Sequence, residues 1–210
     1  MARTSKVKRK TTETDISLEL NLDGKGKADV STPIPFLSHM LTNFARHGLF
    51  DLKVRAKGDI EVDLHHTVED LGITLGEALK KALRDNRGIR RCGSSSVPMM
   101  DSLSTVVLDI SNRPYFRFSS PEGASPVGRK VLSAGVKTVE MKEAFDTGLM
   151  EEFLKALSNS AGIDLHVTLH YGTDVHHSIE SVFKALGRAL SAATARDKRI
   201  RGVMSTKGKL

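Results

Sequence analysis

Two copies of one phrase stand 111 positions apart in this chain, His65-His66-Thr67-Val68-Glu69 and His176-His177-Ser178-Ile179-Glu180. The likeness extends further: residues 65–83 and 176–194 agree at eight of nineteen positions, among them Leu75/Leu186, Gly76/Gly187, Ala78/Ala189, Leu79/Leu190 and Ala82/Ala193. A match held at one offset marks an internal duplication. The 210 residues are therefore expected to form two similar halves, 1–92 and 93–210, closed into one compact globular unit.

Local patterns fill in each half. Ile16, Leu18, Leu20 and Leu22 alternate with polar residues and run into Asp23-Gly24-Lys25-Gly26, which predicts a hairpin with one buried face. A helix over 34–47, strands over 50–57 and 59–64, and the signature helix to about 85 follow. In the second half the expected elements are strands over 104–110 and 113–119, a weaker one over 136–139, a helix over 148–161, a strand through His166 and the second signature helix to about 195. Gly, Ser and Pro mark 93–98 and 120–128 as loops. Strand-rich halves that close with helices predict an α+β protein of two similar layers.

On a helix, residues four apart share a face, so His65 and Glu69 can reach one ion while His66, about 100° around the axis, faces another. The same holds for His176 and Glu180, with His177 displaced. A His-His-x-x-Glu helix thus suits two ions, and two such helices facing each other would complete both sites. Imidazole with carboxylate suits manganese, zinc or iron(II). His166, on the strand entering the second signature, and His39, after Pro35 at a helix start, are the remaining candidate ligands. His47 is placed to favour a helix C-terminus as much as a metal, and His170 reads as a solvated strand residue.

The net charge of +7 belongs to the ends, where Arg3, Lys6, Lys8, Arg9 and Lys10 stand at one and Lys198, Arg199, Arg201, Lys207 and Lys209 at the other. Without those ten the body carries 22 basic and 25 acidic residues. Such runs read as solvated tails, and two Tyr with no Trp give no stacking platform for single-stranded nucleic acid. One cysteine, Cys92, excludes a disulfide framework; Arg90 and Arg91 beside it favour a lowered thiol, but no His-based nucleophile arrangement surrounds it and it reads as structural. An apolar run long enough to span a membrane and an apolar-cored leader are both missing from the sequence, so no membrane partner is expected and the reducing cytoplasm is the expected address.

At this point the residues spell a family. Residues 60–70, the phrase from Ile34 to Leu52 with His39-Met40-Leu41 and Ala45-Arg46-His47-Gly48-Leu49-Phe50-Asp51-Leu52, the stretch Leu165 to Lys184, and Ser205-Thr206-Lys207-Gly208 resemble imidazoleglycerol-phosphate dehydratases. The resemblance runs from Thr12-Glu13-Thr14 to Leu210. It implies an α+β fold of the ribosomal-protein S5 domain 2-like kind, an internal duplication with two four-stranded sheets and helices packed between. It also implies a hydro-lyase of histidine biosynthesis that dehydrates imidazole-glycerol phosphate to imidazole-acetol phosphate. Each active site would hold two manganese ions, one on His65, Glu69, His166 and His177 and the other on His39, His66, His176 and Glu180. The sites would lie between subunits of a 24-subunit assembly.

The same resemblance assigns a phosphate pocket to Arg91, Arg113, Lys184, Ser205 and Lys207, and proton transfer to Glu13 with Glu180 assisting. The substrate carbon–hydrogen bond has no neighbouring carbonyl, so the implied electron sink is a metal-bound imidazolate, with a diazafulvene-like intermediate. The family commonly has Asp where Ser38 and Leu64 stand and Asp-Glu where Met100-Asp101 stands, which puts hydrogen bonds to the ligand histidines in question. Two other classes use parts of this pattern: a binuclear metallohydrolase, and a nucleic-acid-binding module using the basic ends. The first commonly adds a bridging Asp that neither signature offers, and the second would ignore manganese and weaken steeply with salt.

Overall fold

The computed structural model describes residues 2–120 and 145–209. The first sheet is built from β1 (Thr4–Lys10), β2 (Thr14–Asn21), β3 (Ala28–Ser31) and β4 (Asp51–Gly58) in the order β1-β2-β4-β3. The second is built from β5 (Cys92–Met99), β6 (Ser102–Asp109), β7 (Tyr115–Ser119) and β8 (Asp164–Tyr171) in the order β5-β6-β8-β7. The two orders are the same. Register repeats too: Thr4 faces Asn21 and Cys92 faces Asp109, both residues of the second pair lying 88 positions beyond those of the first.

In each sheet one pair is parallel, β3 with β4 and β7 with β8. Parallel neighbours need a crossover, supplied by α1 (Pro35–Gly48) and by α3 (Thr147–Ala161). The signature helices α2 (His65–Leu83) and α4 (Val175–Thr194) follow β4 and β8. α2 packs on β1 and β2, and α4 on β5 and β6, while α1 meets α4 and α2 meets α3 between the sheets. Phe44, Phe153, Phe183, Leu37, Leu71 and Leu186 are among the side chains that fill this shared core. No helix among the described residues is long and apolar enough to cross a membrane.

The duplicated glycines explain how the halves meet. A Cβ on Gly187 would stand 2.4 Å from the Phe44 carbonyl oxygen on α1, and one on Gly76 would stand 2.8 Å from the Leu157 carbonyl oxygen on α3. Both are backbone-to-backbone approaches that only glycine permits. Gly187→Ala is therefore expected to cost about 1–3 kcal/mol in chemical denaturation. A cost below about 0.5 kcal/mol, the range of an ordinary surface change, would mean that α1 and α4 re-space freely.

Four local expectations need correction. The Asp23–Gly26 turn does not make a hairpin on β2, because the Asp51 carboxylate accepts from the Lys25 and Lys27 amides at 2.8 and 3.0 Å and steers the chain beside β4. Residues 59–64 form a turn, closed by Val62 N–H to the Asp59 carbonyl at 2.8 Å, and no strand. Residues 93–98 belong to the edge strand β5. The amino-terminal run is the edge strand β1, with Arg3 buried against Asp23 and the Thr194 carbonyl and Arg9 bonded to Asp70. The expected strand over 136–139 and nearly all of the expected loop over 120–128 lie outside the described residues.

Candidate metal centre

Where α1 meets α4, three metal-type donors converge. His39 lies in the first turns of α1, and His176 and Glu180 lie one turn apart on α4, so their ligand atoms fall within 4.8 Å of one another. His176 Nε2 is 2.9 Å and His39 Nε2 3.4 Å from the same oxygen, Glu180 Oε2. The other oxygen, Oε1, accepts from Lys184 Nζ at 2.6 Å, one turn further along. Phe36 packs edge-on against His176 with centroids 5.2 Å apart, and also against Phe145.

Burial pushes the Glu180 carboxyl up, but the Lys184 ammonium and hydrogen bonds from His176 and His39 outweigh it and hold the group below its ordinary range. The carboxylate is anionic, buried, and keeps one oxygen for the two imidazoles, which reach solvent. Two imidazole nitrogens and an anionic oxygen aimed at one point fit a divalent ion.

The first signature places its residues differently. His65 Nε2 is 3.6 Å from Glu69 Oε2. His66 Nδ1 is 3.0 Å from Asp59 Oδ2 and 3.8 Å from Glu13 Oε2. On the second signature, His177 Nδ1 is 2.7 Å from Asp101 Oδ1. Asp101 also accepts from the Thr173 hydroxyl and from the amides of Thr173 and Asp174, and these bonds, the hydroxyl foremost and then His177, hold its carboxyl far below the ordinary range. The Asp59 hydrogen bond raises the His66 imidazole. With Nδ1 facing a carboxylate in both rings, Nε2 is the nitrogen left for a ligand.

Within one chain, His39, His176 and Glu180 form the one three-donor group among the described residues. His66 is not gathered with them. His65 and Glu69 are neighbours on α2, whereas His166 lies exposed on β8 with its ring 5.5 Å from that of Tyr115. Neighbouring rings diverge, at 88° for His65 and His66 and 74° for His176 and His177. His47 ends α1, where burial and the charges of Lys184 and Arg188 push its imidazole down. His170 faces Thr105 Oγ1 at 2.8 Å. Cys92 departs from expectation: burial pushes its thiol up, outweighing Arg91.

Four of the five expected phosphate residues share a cavity. Arg91, Arg113, Ser205 and Lys207, with Met204, Thr206 and Lys209, line a space of about 570 Å³. Arg91 is pinned there, its guanidinium forked on Asp109 by two bonds of 2.6 Å and bonded to the Met204 carbonyl at 2.8 Å. Asp109 offsets much of its charge, which leaves Arg113, Lys207 and Lys209 as the cations facing the space. Lys184 stands apart, on Glu180.

The imidazoleglycerol-phosphate dehydratase family model matches residues 32–190, which contain both signatures and His39. The chain belongs to that family. It is 51% identical over 210 residues to the imidazoleglycerol-phosphate dehydratase of Geobacillus kaustophilus, covering all of both chains. It is 50% identical over 202 residues to that of Bacillus subtilis, covering 96% of each. Among solved structures, the Pyrococcus furiosus enzyme superposes with a TM-score of 0.75 at 35% identity, covering 97% of this chain and 100% of that one. The Staphylococcus aureus enzyme gives 0.71 at 34%, covering 92% and 99%. Membership makes the protein a hydro-lyase.

The departures from this family's pattern acquire physical meaning. At Ser38 the hydroxyl accepts from the Thr32 amide at 3.1 Å and ties the approach to α1. Leu64 is buried, and Asp63 takes over at the helix start by accepting from the His65 amide at 2.8 Å. Met100 is exposed with a φ of 48°, and its neighbour Asp101 orients His177. Asp59 and Asp101 were not among the expected site residues. The signal for Asp101 was its place: it stands 88 positions after Glu13, in the matching strand turn.

Proposed function

We propose that this protein dehydrates imidazoleglycerol phosphate to imidazoleacetol phosphate in histidine biosynthesis, with two manganese ions in each active site. The observation that carries the reading is the convergence of His39, His176 and Glu180 on one point, with a second His-His-x-x-Glu helix holding the same donor types. When bound, the ions would act as Lewis acids on the substrate's imidazole ring and make it the electron sink. His39, His66, His176 and Glu180 would hold one ion and His65, Glu69, His166 and His177 the other. Because one chain gathers three of these donors, we read the sites as completed by neighbouring copies in a 24-subunit assembly. We read 1–92 and 93–210 as half-repeats of one folding unit, and the cytoplasm as its address.

The chain's own groups do the rest. Glu13, 3.8 Å from His66, would move the proton at the substrate carbon, with Glu180 assisting. Arg113, Lys207 and Ser205 hold the phosphate at the pinned Arg91. The resemblance adds Lys184 to the phosphate set, and in one chain that residue stands outside this cavity, on Glu180. The deciding experiment supplies imidazoleglycerol phosphate with manganese and analyses products. A ketone without free phosphate is expected, and inorganic phosphate would mean a metallohydrolase.

Lys207→Ala should weaken substrate binding about 10- to 150-fold, the worth of one charge-assisted contact, and leave manganese content intact. Neutralising Lys6 and Lys8, exposed on β1, should change it less than about twofold. Michaelis constants check both, and equal losses would mean a diffuse basic field with no defined pocket.

A further inference from the structure

The two strand turns facing the signatures are equivalent, yet they hold their carboxylates differently. In the second half Asp101 is hydrogen-bonded straight to His177 at 2.7 Å. In the first half Asp59 occupies His66 Nδ1 at 3.0 Å, and Glu13 stands off at 3.8 Å, exposed, with no hydrogen bond from the histidine. A carboxylate kept off its neighbour in this way needs something else to hold it in place.

That hold runs through four residues. The amides of Glu13 and Thr14 donate to Thr11 Oγ1 at 3.1 and 2.9 Å. The Thr11 and Thr14 hydroxyls are 3.2 Å apart, and Thr14 Oγ1 donates to Asp70 Oδ2 at 2.5 Å. Asp70 Oδ1 accepts from Arg9 Nε at 2.7 Å. An ionised carboxylate only accepts, so Asp70 fixes the direction of every hydroxyl in the chain: Thr14 gives its proton to Asp70, Thr11 gives its own to Thr14, and Thr11 is left to accept from Glu13. Bonds aligned in one sense strengthen one another. Thr14 and Asp70 are 4% and 7% exposed, so the chain ends in a buried anchor.

Asp70 is also on α2, one residue after Glu69 and one turn after His66. The matching position in the second half is Ser181, which pairs with Ser104 Oγ at 2.5 Å and carries no charge. Among the described residues the charged anchor therefore belongs to the half whose turn carboxylate is not hydrogen-bonded to its histidine.

We infer that Asp70, with Thr14 and Arg9, is a positioning clamp that docks the β1–β2 turn on the first signature helix and so sets Glu13 beside His66. The inference rests on the reading of Glu13 given above. Asp70 touches no reacting atom and acts through the turn.

The test is a double-mutant cycle on the manganese-loaded enzyme. Thr14→Val keeps the shape and removes the link, and is expected to lower kcat about tenfold or more with KM and metal content within about twofold. Thr14→Ser should restore kcat, and Asp70→Asn should lower it at least as far as Thr14→Val does. Made on Glu13→Gln, Thr14→Val should add less than about twofold, because the clamp then has no carboxylate to place. An equal loss in both backgrounds, or unchanged kcat in Thr14→Val, overturns the clamp while leaving Glu13 standing. Full turnover in Glu13→Gln instead overturns the role of Glu13, and the clamp falls with it.

Discussion

Chelated protein is expected to lose about 10²- to 10⁴-fold of its turnover and to regain it on adding manganese, since Lewis-acid stabilisation of several kcal/mol scales rate by that much. The motivation is the convergence of His39, His176 and Glu180, which one chain leaves as three donors. Ligands drawn from several copies would couple binding to assembly. The stripped protein should therefore elute as a smaller species and reassemble with metal. Full turnover in protein verified to hold less than about one ion per ten chains would exclude the Lewis-acid role, and an unchanged large particle would exclude shared sites.

The parts of the fold most legible in the sequence are those with strong apolar periodicity. α1, α2, α3 and α4 follow the expected spans closely, and β2, β4, β6 and β8 bury alternate side chains as the pattern requires. β1 and β5 were illegible for one reason. Both are edge strands, and each buries a single hydrophobe, Val7 or Val97, so no period-two apolar signal arises. β1 hides further because its partly buried Arg9, and the buried Arg3 just before the strand, depend on Asp70 and Asp23 far along the chain. Residues 59–64 alternate in the sequence, yet the chain closes there as a turn through Val62 N–H to the Asp59 carbonyl at 2.8 Å, a local bond that apolar alternation does not report.

Site residues were legible through duplication more than through residue type. A lone His-x-x-x-Glu is commonplace, whereas its recurrence on α2 and α4 picks out the helix that meets α1 at His39. Groups that act on the histidines without repeating the phrase escaped notice. Asp59 has no counterpart at a fixed offset, and Asp101 matches Glu13 only through the 88-residue register of the strands, which needs β1 and β5 to be seen as strands. Lys184 was named only through the resemblance, as a phosphate residue, and its pairing with Glu180 was missed although a Glu four residues before a Lys on one helix is the spacing that brings such a pair together.

Glu180→Gln should be the most damaging single change at this centre, for two separable reasons. It replaces the anionic donor of the proposed site with a neutral amide, so metal content and turnover should both collapse. It also strands Lys184, whose side chain is 14% exposed and whose partner oxygen is 2.6 Å away. Breaking a buried pair from one side costs about 3–5 kcal/mol, whereas replacing both partners by apolar or neutral groups is often close to neutral. Metal-free Glu180→Gln should accordingly unfold at clearly lower denaturant than the metal-free parent, and Glu180→Gln with Lys184→Met should recover most of that loss. Activity should not return in the double variant, which still lacks the carboxylate. Denaturation midpoints and metal analysis of the three proteins decide between the causes. If the double variant is as unstable as Glu180→Gln, the cost comes from the Gln side chain among His39 and His176, and the stranded ammonium contributes little.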